Sequence, residues 1–280
     1  MYELFSDIYG RFEESGVKDP LAETLKLVDI LTEGAVRGIG LGLLDGKGLS
    51  LDEVVGARKD GRPLEYIIGE APFMGRLLIC EPGALIPRQE TELLTSTCIS
   101  IVREVEDGAT VIEIGTGSGN IAVSIAMAIE DAKVYAADVS EEAVDIAARN
   151  VKRYGLEGRV SMSSGDLFDP MREAGLEGKA HLVVCNPPYI PTSSLEKMAS
   201  EIVDYEPVVA LDAGAYGIDI FRRLIAESPG FLRPGGSLAF EIGAGQDKFV
   251  ERLFKKAGGW EDIRTYDDGE AVRVFTARKA

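Results

Sequence analysis

The feature that most restricts what this chain can fold into is an alternation that begins at Thr110. Short apolar runs of strand length (Thr110–Ile114, Lys133–Ala137, Arg159–Ser163, His181–Cys185 and Ser237–Ile242) are separated by stretches of helical period. The helical stretches include Asn120–Ile129, Glu141–Tyr154 and Ile218–Glu227. Strands divided by helices of that length imply βαβ units and a parallel sheet buried on both faces. The pattern changes at the end of the chain. Asp262–Tyr266 and Ala271–Ala277 are strand-like and are joined by Asp267-Asp268-Gly269. Asp-Gly tolerates the positive φ that a hairpin turn requires, so the parallel sheet is expected to close with an antiparallel hairpin.

Upstream, the first 60 or so residues read as helical. Asp19 can cap a helix whose first residue is Pro20, with Leu21, Leu25 and Val28 on one face and Gly34 as its end. A second helix is predicted over Leu51–Lys59, opening after Ser50. Phe73–Ile86 mixes apolar residues with Gly75, Pro82 and Gly83, which suggests a short hairpin or an extended linker. A helix from Thr91 to Glu104 follows. The expected organisation is a helical domain over 1–72, a hairpin linker over 73–90 and the alternating domain over 91–280.

Composition excludes several classes. With 47 acidic and 30 basic residues, the net charge is −17, the opposite of the basic footprint that phosphate neutralisation requires. Direct nucleic-acid binding is therefore not expected. Cys80, Cys98 and Cys185 are widely spaced and make no C-x-x-C pair, so neither a zinc site nor a dithiol redox site is expected, and no metal is assigned. The acidic start MYELFSDIYGRFEESG is unlike a signal peptide, and the apolar runs are too short to span a bilayer. A cytoplasmic protein without a membrane partner is the expectation.

Val111 to Asn120 (VIEIGTGSGN) is a strand, a G-x-G-x-G turn and the start of a helix. Gly115, Gly117 and Gly119 permit a tight turn and close backbone approach to a ligand, with Thr116 and Ser118 between them. Such a loop alone is weak evidence, since Gly38-Ile39-Gly40-Leu41-Gly42 has the same spacing and follows no strand. The later loop lies at the first βα turn of the series. Asp138 ends the next strand, where a carboxylate can accept from both ribose hydroxyls; its other reading is a helix cap. Asn120 stands where a dinucleotide fingerprint needs its third glycine, which favours a nucleoside without pyrophosphate: S-adenosylmethionine over NAD. Glu113 is a candidate for the ligand's ammonium, directly or through water. Asp166 is placed to accept from an adenine amino group and Leu167 to pack on the ring. A parallel sheet with this loop and a terminal hairpin points to the methyltransferase variant of the doubly wound fold.

Asn186-Pro187-Pro188-Tyr189 follows a hydrophobic strand and is the most specific signal. The nitrogen of an amide or aromatic amine is a poor nucleophile because its lone pair is delocalised. What helps is a pair of acceptors on its N–H hydrogens. The Asn186 side-chain oxygen and the Pro187 carbonyl can supply them, orienting the nitrogen and stabilising its developing charge. Pro188 stiffens the segment, and Tyr189 can stack on a flat acceptor. His181, at the start of that strand, reads as structural and not as a general base.

Together these residues resemble the release-factor glutamine methyltransferases of HemK type. Arg62-Pro63-Leu64-Glu65-Tyr66-Ile67-Ile68-Gly69, Phe73-Met74-Gly75 and Leu85-Ile86-Pro87-Arg88-Gln89-Glu90-Thr91-Glu92 resemble the family's domain junction and linker. Glu206-Pro207, Ala210-Leu211, Gly217-Ile218-Asp219, Pro234-Gly235-Gly236, Glu241-Ile242-Gly243 and Gln246 resemble its later segments. The match runs from about Leu51 to Gln246. Gln89 replaces a usual proline, and Asp267–Arg273 is a loose version of the family's last motif. The first 50 residues match in helical character only. The resemblance implies a small helical domain before a class I methyltransferase fold, with a mostly parallel seven-stranded sheet ending in an antiparallel hairpin. It implies a monomer that uses S-adenosylmethionine and acts on the glutamine amide of the Gly-Gly-Gln motif of a peptide chain release factor. N-P-P-Y also serves enzymes that methylate exocyclic amines of adenine or guanine, an alternative the charge disfavours. A non-catalytic cofactor-binding module would not need Asn186 and Tyr189.

Overall fold

The computed structural model describes residues 2–36, 44, 47–196, 200–214 and 218–280. The Gly38–Gly42 run and Gly217 lie outside them. The helical part comprises α1 (Tyr2–Ser15), α2 (Pro20–Val36), α3 (Leu51–Lys59) and α4 (Leu64–Ile68). A hairpin of β1 (Glu70–Phe73) and β2 (Arg76–Ile79) follows. The remainder runs α5 (Thr91–Arg103), β3 (Thr110–Ile114), α6 (Asn120–Ala128), β4 (Lys133–Asp138), α7 (Glu141–Arg153), β5 (Val160–Ser164), α8 (Asp169–Glu173) and β6 (Ala180–Cys185). It continues with α9 (Thr192–Leu195), α10 (Ser200–Tyr205), α11 (Asp219–Phe231), β7 (Leu232–Glu241), α12 (Asp247–Ala257), β8 (Trp260–Asp267) and β9 (Val272–Lys279).

The expected caps form. Asp19 Oδ1 accepts from the Ala22 amide, and Ser50 and Glu53 make a reciprocal capping box on α3. The apolar face of α2 that packs is set by its neighbours. Leu21 and Leu25 are 51% and 55% exposed, whereas Leu27, Ile30 and Leu31 are buried with Ile8, Phe12 and Val54. Both stripes have helical spacing, and packing against α1 and α3 selects between them. The helix also runs past Gly34 to Val36. One interior glycine costs only about 1 kcal/mol.

β3 to β9 form one sheet in the order β5-β4-β3-β6-β7-β9-β8. The first five are parallel and β9 is antiparallel to both its neighbours, as the apolar runs and the Asp-Gly turn require. Two boundaries differ from the sequence reading. α11 continues through Pro229 to Phe231, because Ser228 and Phe231 are buried. β7 starts at Leu232, with a register shift that accommodates Pro234-Gly235-Gly236. On one face Phe240 packs against Phe221, Phe254 and Phe275 at ring separations of 5.5, 6.0 and 6.1 Å. The other face is covered by α5, α6 and α7.

The hairpin joins the two parts. Its first strand begins at Glu70 and crosses the 72/73 boundary drawn from sequence. Met74 and Gly75 both have positive φ, 49° and 69°, in a two-residue turn. Strand alternation then sends Leu77 into the helical core and Leu78 into the sheet core. Asn150, on α7 and fully buried, ties the seam to the glycine loop. Its Nδ2 donates to Ile79 O and Ser118 O at 3.0 and 2.9 Å, and its Oδ1 accepts from Ile79 N at 2.7 Å. Asn150→Ala leaves these backbone groups without their partner. It is expected to lower unfolding free energy by about 2–4 kcal/mol in urea titration. A loss under about 0.5 kcal/mol, the usual surface effect, would contradict this account.

Candidate active site

Strand order reverses at β3. Its neighbours are β4 on one side and β6 on the other, so the loops after β3 and β6 part and leave a crevice at the carboxyl edge of the sheet. Into this crevice the chain delivers both motifs. A cavity of about 320 Å³ is lined by Gly115–Ser118, Asp138, Val139, Gly165–Leu167 and Asn186–Pro188. A second hollow of about 300 Å³ is lined by Glu90, Tyr189, Ile190 and Leu211, and shares Leu85, Arg88, Asn186, Pro187, Pro188 and Ala210 with the first. The Asn-Pro-Pro segment is thus a common wall between two spaces.

The glycine loop is built for close packing. Gly119 has φ +80°, and a Cβ there would lie 3.1 Å from Ala147 Cβ on α7. The loop amides are drawn to Asp138: Oδ2 accepts from Gly117 N at 2.8 Å and Oδ1 from Ser140 N at 3.0 Å. Ser140, not Asp138, caps α7 through its hydroxyl. Each Asp138 oxygen keeps a further lone pair for a ligand hydroxyl. Ser118 lines the cavity with a buried hydroxyl that has no partner, which fits a polar ligand group at this wall.

Asp166 and Leu167 also reach the cavity, in different states. Asp166 is exposed, and both its oxygens accept from the Arg223 guanidinium at 3.1 and 2.8 Å. Leu167 is buried with φ +45°, a left-handed conformation unusual for leucine, which presents it at the cavity wall.

Glu113, a candidate for the ligand's ammonium directly or through water, lies beneath the glycine loop. Along β3, Ile112 and Ile114 face one side of the sheet, and alternation turns Glu113 to the other, towards α5 and α6. There it is fully buried. Oε2 accepts from the Thr116 hydroxyl at 3.0 Å, and Oε1 has no partner. Glu113 therefore braces the loop from beneath. Burial pushes its carboxyl up to about 8.

Around Asn186 a network appears that sequence reasoning missed. Asn186 Nδ2 donates to Thr91 Oγ1 at 2.9 Å, and the Thr91 hydroxyl donates to Glu241 Oε2 at 2.8 Å. The Tyr189 hydroxyl donates to Glu241 Oε1 at 3.4 Å, and the Tyr189 carbonyl accepts from Gln246 Nε2 at 3.0 Å. Burial pushes Glu241 up to about 7 and the Tyr189 hydroxyl up to about 12. Arg88 pairs with buried Glu206, which also accepts from Ile86 N, fixing the linker against the segment after the Asn-Pro-Pro-Tyr loop. Thr91, Glu206 and Glu241 lay in segments that resembled the family, but nothing in their spacing signalled a role. His181 sits at the opposite end of β6 from Asn186, with Nδ1 accepting from Thr110 N at 3.0 Å. All three cysteines are buried, and burial pushes their thiols up. No helix among the described residues is long and apolar enough to cross a membrane.

The buried Glu113 makes stability depend on pH. Its carboxyl rises from 4.5 to about 8 on folding, so between those values the folded chain holds a proton that the unfolded chain releases. This contribution is full at low pH and is lost as pH rises through about 8. The fall in melting temperature between about pH 5 and about pH 9 is expected to shrink in Glu113→Gln, by scanning calorimetry. An unchanged slope would contradict the assignment.

Comparison with known proteins agrees with the geometry. The family model for the methyltransferase small domain matches residues 90–214. The catalytic domain of hMettl16, solved in complex with MAT2A 3′UTR hairpin 6, has the same fold. Its TM-score is 0.57 at 16% identity, over 81% of this chain and 81% of that one. A release factor glutamine methyltransferase of Geobacter sulfurreducens is 34% identical over 96% of this chain and 93% of its own length. One of Gloeobacter violaceus is 39% identical over 76% and 73%. A crevice built from the glycine loop and Asn-Pro-Pro-Tyr, together with likeness over nearly the whole of a curated relative, assigns this chain to the release factor glutamine methyltransferase family.

Proposed function

We propose that this chain transfers a methyl group from S-adenosylmethionine to the side-chain amide nitrogen of glutamine in the Gly-Gly-Gln motif of a peptide chain release factor. The observation that carries this reading is the common wall: Asn186, Pro187 and Pro188 border both the cavity at the glycine loop and the hollow beside Tyr189. A group bound on one side meets a group bound on the other across those residues.

The residues lining the larger cavity suit the cofactor. Gly115 to Ser118 offer backbone and the Ser118 hydroxyl, Asp138 offers lone pairs to ribose hydroxyls, Leu167 with Val139 offers apolar surface to adenine, and Gly119 serves the loop by its close packing on α7. Asp166 would reach the adenine amino group by exchanging its Arg223 partner, a surface ion pair worth about 1 kcal/mol or less. Glu113 acts through Thr116. When bound, the cofactor supplies an electrophilic methyl on a sulfonium sulfur.

The chain's own work is to hold the acceptor. The Asn186 Oδ1 and the Pro187 carbonyl accept the two N–H bonds of the amide, fix the direction of the nitrogen and offset the positive charge it gains. Tyr189 covers the flat amide and excludes water. No strong base is required before attack: the nitrogen's proton becomes acidic as the new N–C bond forms, and it then leaves to solvent. The fully buried Glu113 braces the glycine loop. We assign the release factor as protein partner and the cytoplasm as the compartment in which the two meet.

Mass spectrometry of the Gly-Gly-Gln peptide after incubation with release factor and labelled cofactor is expected to show one added methyl on the glutamine. Label appearing only in RNA or DNA offered alongside would overturn the reading. Asn186→Ala is expected to lower turnover about 100-fold or more while calorimetry finds cofactor affinity within about threefold of wild type. An equal loss of both would remove the acceptor-holding role.

A further inference from the structure

An asparagine side chain can present an acceptor or a donor pair in a given direction, and only its partners decide which. For Asn186 the decision is made two hydrogen bonds away. Glu241 is the last residue of β7. Alternation sends Phe240 into the aromatic cluster and Glu241 to the opposite face, under the first turn of α5, where Thr91 begins that helix. A carboxylate only accepts, so the single Thr91 hydroxyl proton goes to Glu241 Oε2. Thr91 Oγ1 is then left as an acceptor, and it takes the Asn186 NH₂.

We infer that Thr91 and Glu241 are positioning residues. Through the chain Glu241, Thr91, Asn186 they hold the Asn186 amide with its NH₂ turned inward and its carbonyl oxygen available to the N–H of the methyl acceptor. This rests on Asn186 acting as an acceptor, as proposed above. The opposite orientation sets two donors, the Asn186 NH₂ and the acceptor NH₂, against each other.

The relay is sensitive to one proton. Glu241 faces Thr91 and Glu90 from the start of α5, Tyr189 from the loop after β6, and Arg273 from β9. Burial drives its carboxyl up, the Thr91 and Tyr189 hydrogen bonds and Arg273 oppose that, and Glu90 adds to it, leaving it at about 7. Once protonated, Glu241 can donate to Thr91. Thr91 can then donate to Asn186 Oδ1 and invert the amide. Turnover should therefore fall as pH drops through about 7.

Three substitutions test this. Thr91→Val keeps the branched shape and removes the hydroxyl, whereas Thr91→Ser keeps the hydroxyl and removes the methyl. With the Gly-Gly-Gln peptide as substrate, Thr91→Val is expected to lower kcat about 10- to 100-fold with KM little changed. Thr91→Ser is expected to recover most of that loss. A packing role for Thr91 predicts the reverse order, and that result would overturn the proposal. In Glu241→Gln the decline in kcat below about pH 7 should disappear; its persistence would remove Glu241 from the relay. A readout that needs no turnover separates this proposal from the choice of acceptor. The Asn186 side-chain NH₂ resonances, assigned by their loss in Asn186→Ala, should be single and sharp in the wild type and Thr91→Ser. In Thr91→Val they should be shifted or broadened by exchange. Unchanged resonances in Thr91→Val would overturn the relay whatever the chain methylates.

Discussion

The site depends on one constraint: β3 and β6 lie side by side and parallel, in the register Val111 to Leu182 through Ile114 to Cys185. Four matched pairs bring the ends of the two strands level. The next residues, Gly115 and Asn186, then leave the sheet together, and a Cβ on Gly115 would stand 3.9 Å from the Asn186 carbonyl oxygen. A slip of one residue would turn every side chain of one strand to the wrong face and separate the loops. Val111, Ile112 and Ile114 on β3 and Leu182 to Cys185 on β6 are all buried, and that two-sided burial holds the pairing.

The face of the sheet under α5 carries an unusual load for a protein core. Glu113 and Glu241 are both buried there, and burial raises both. Burying a carboxylate is costly unless its oxygens find donors. Here the donors are the hydroxyls of Thr116, Thr91 and Tyr189, all belonging to the glycine loop, α5 or the Asn-Pro-Pro-Tyr loop. Burial also keeps the Glu113 carboxyl protonated up to about pH 8, and the hydroxyls tie both carboxyls to the segments that line the site. The opposite face is filled by Phe240 and the phenylalanine rings packed on it, which back the site.

Much of the site was legible in the sequence because its residues are contiguous. Gly115 to Gly119 and Asn186 to Tyr189 each follow a strand, and turn chemistry places them at the strand ends. Asp138 was legible by its position after β4, and it does reach the loop, through Gly117. Glu113 was legible as a residue beside the glycine loop, but its face was not, because one strand residue further or nearer means the opposite side of the sheet. Which face of α2 packs was not legible, because the helix has two apolar stripes and only the partner helices select one.

The sequence by itself determined the sheet's direction, its terminal hairpin, the glycine loop, the place of Asn186-Pro187-Pro188-Tyr189 after a strand and the helical character of the first residues. Each is encoded in local periodicity or in the conformational limits of glycine, proline and Asp-Gly. Tertiary structure alone decided what joins Thr91, Asn186 and Glu241, residues up to 150 positions apart that meet through a helix start, a strand end and a loop. It also decided that β2 would share Leu77 and Leu78 between two cores and that Asn150 would bind the hairpin to the glycine loop. The physical reason is the same throughout: a hydrogen-bonding side chain states what it can donate or accept, and only packing brings it the partner that settles which.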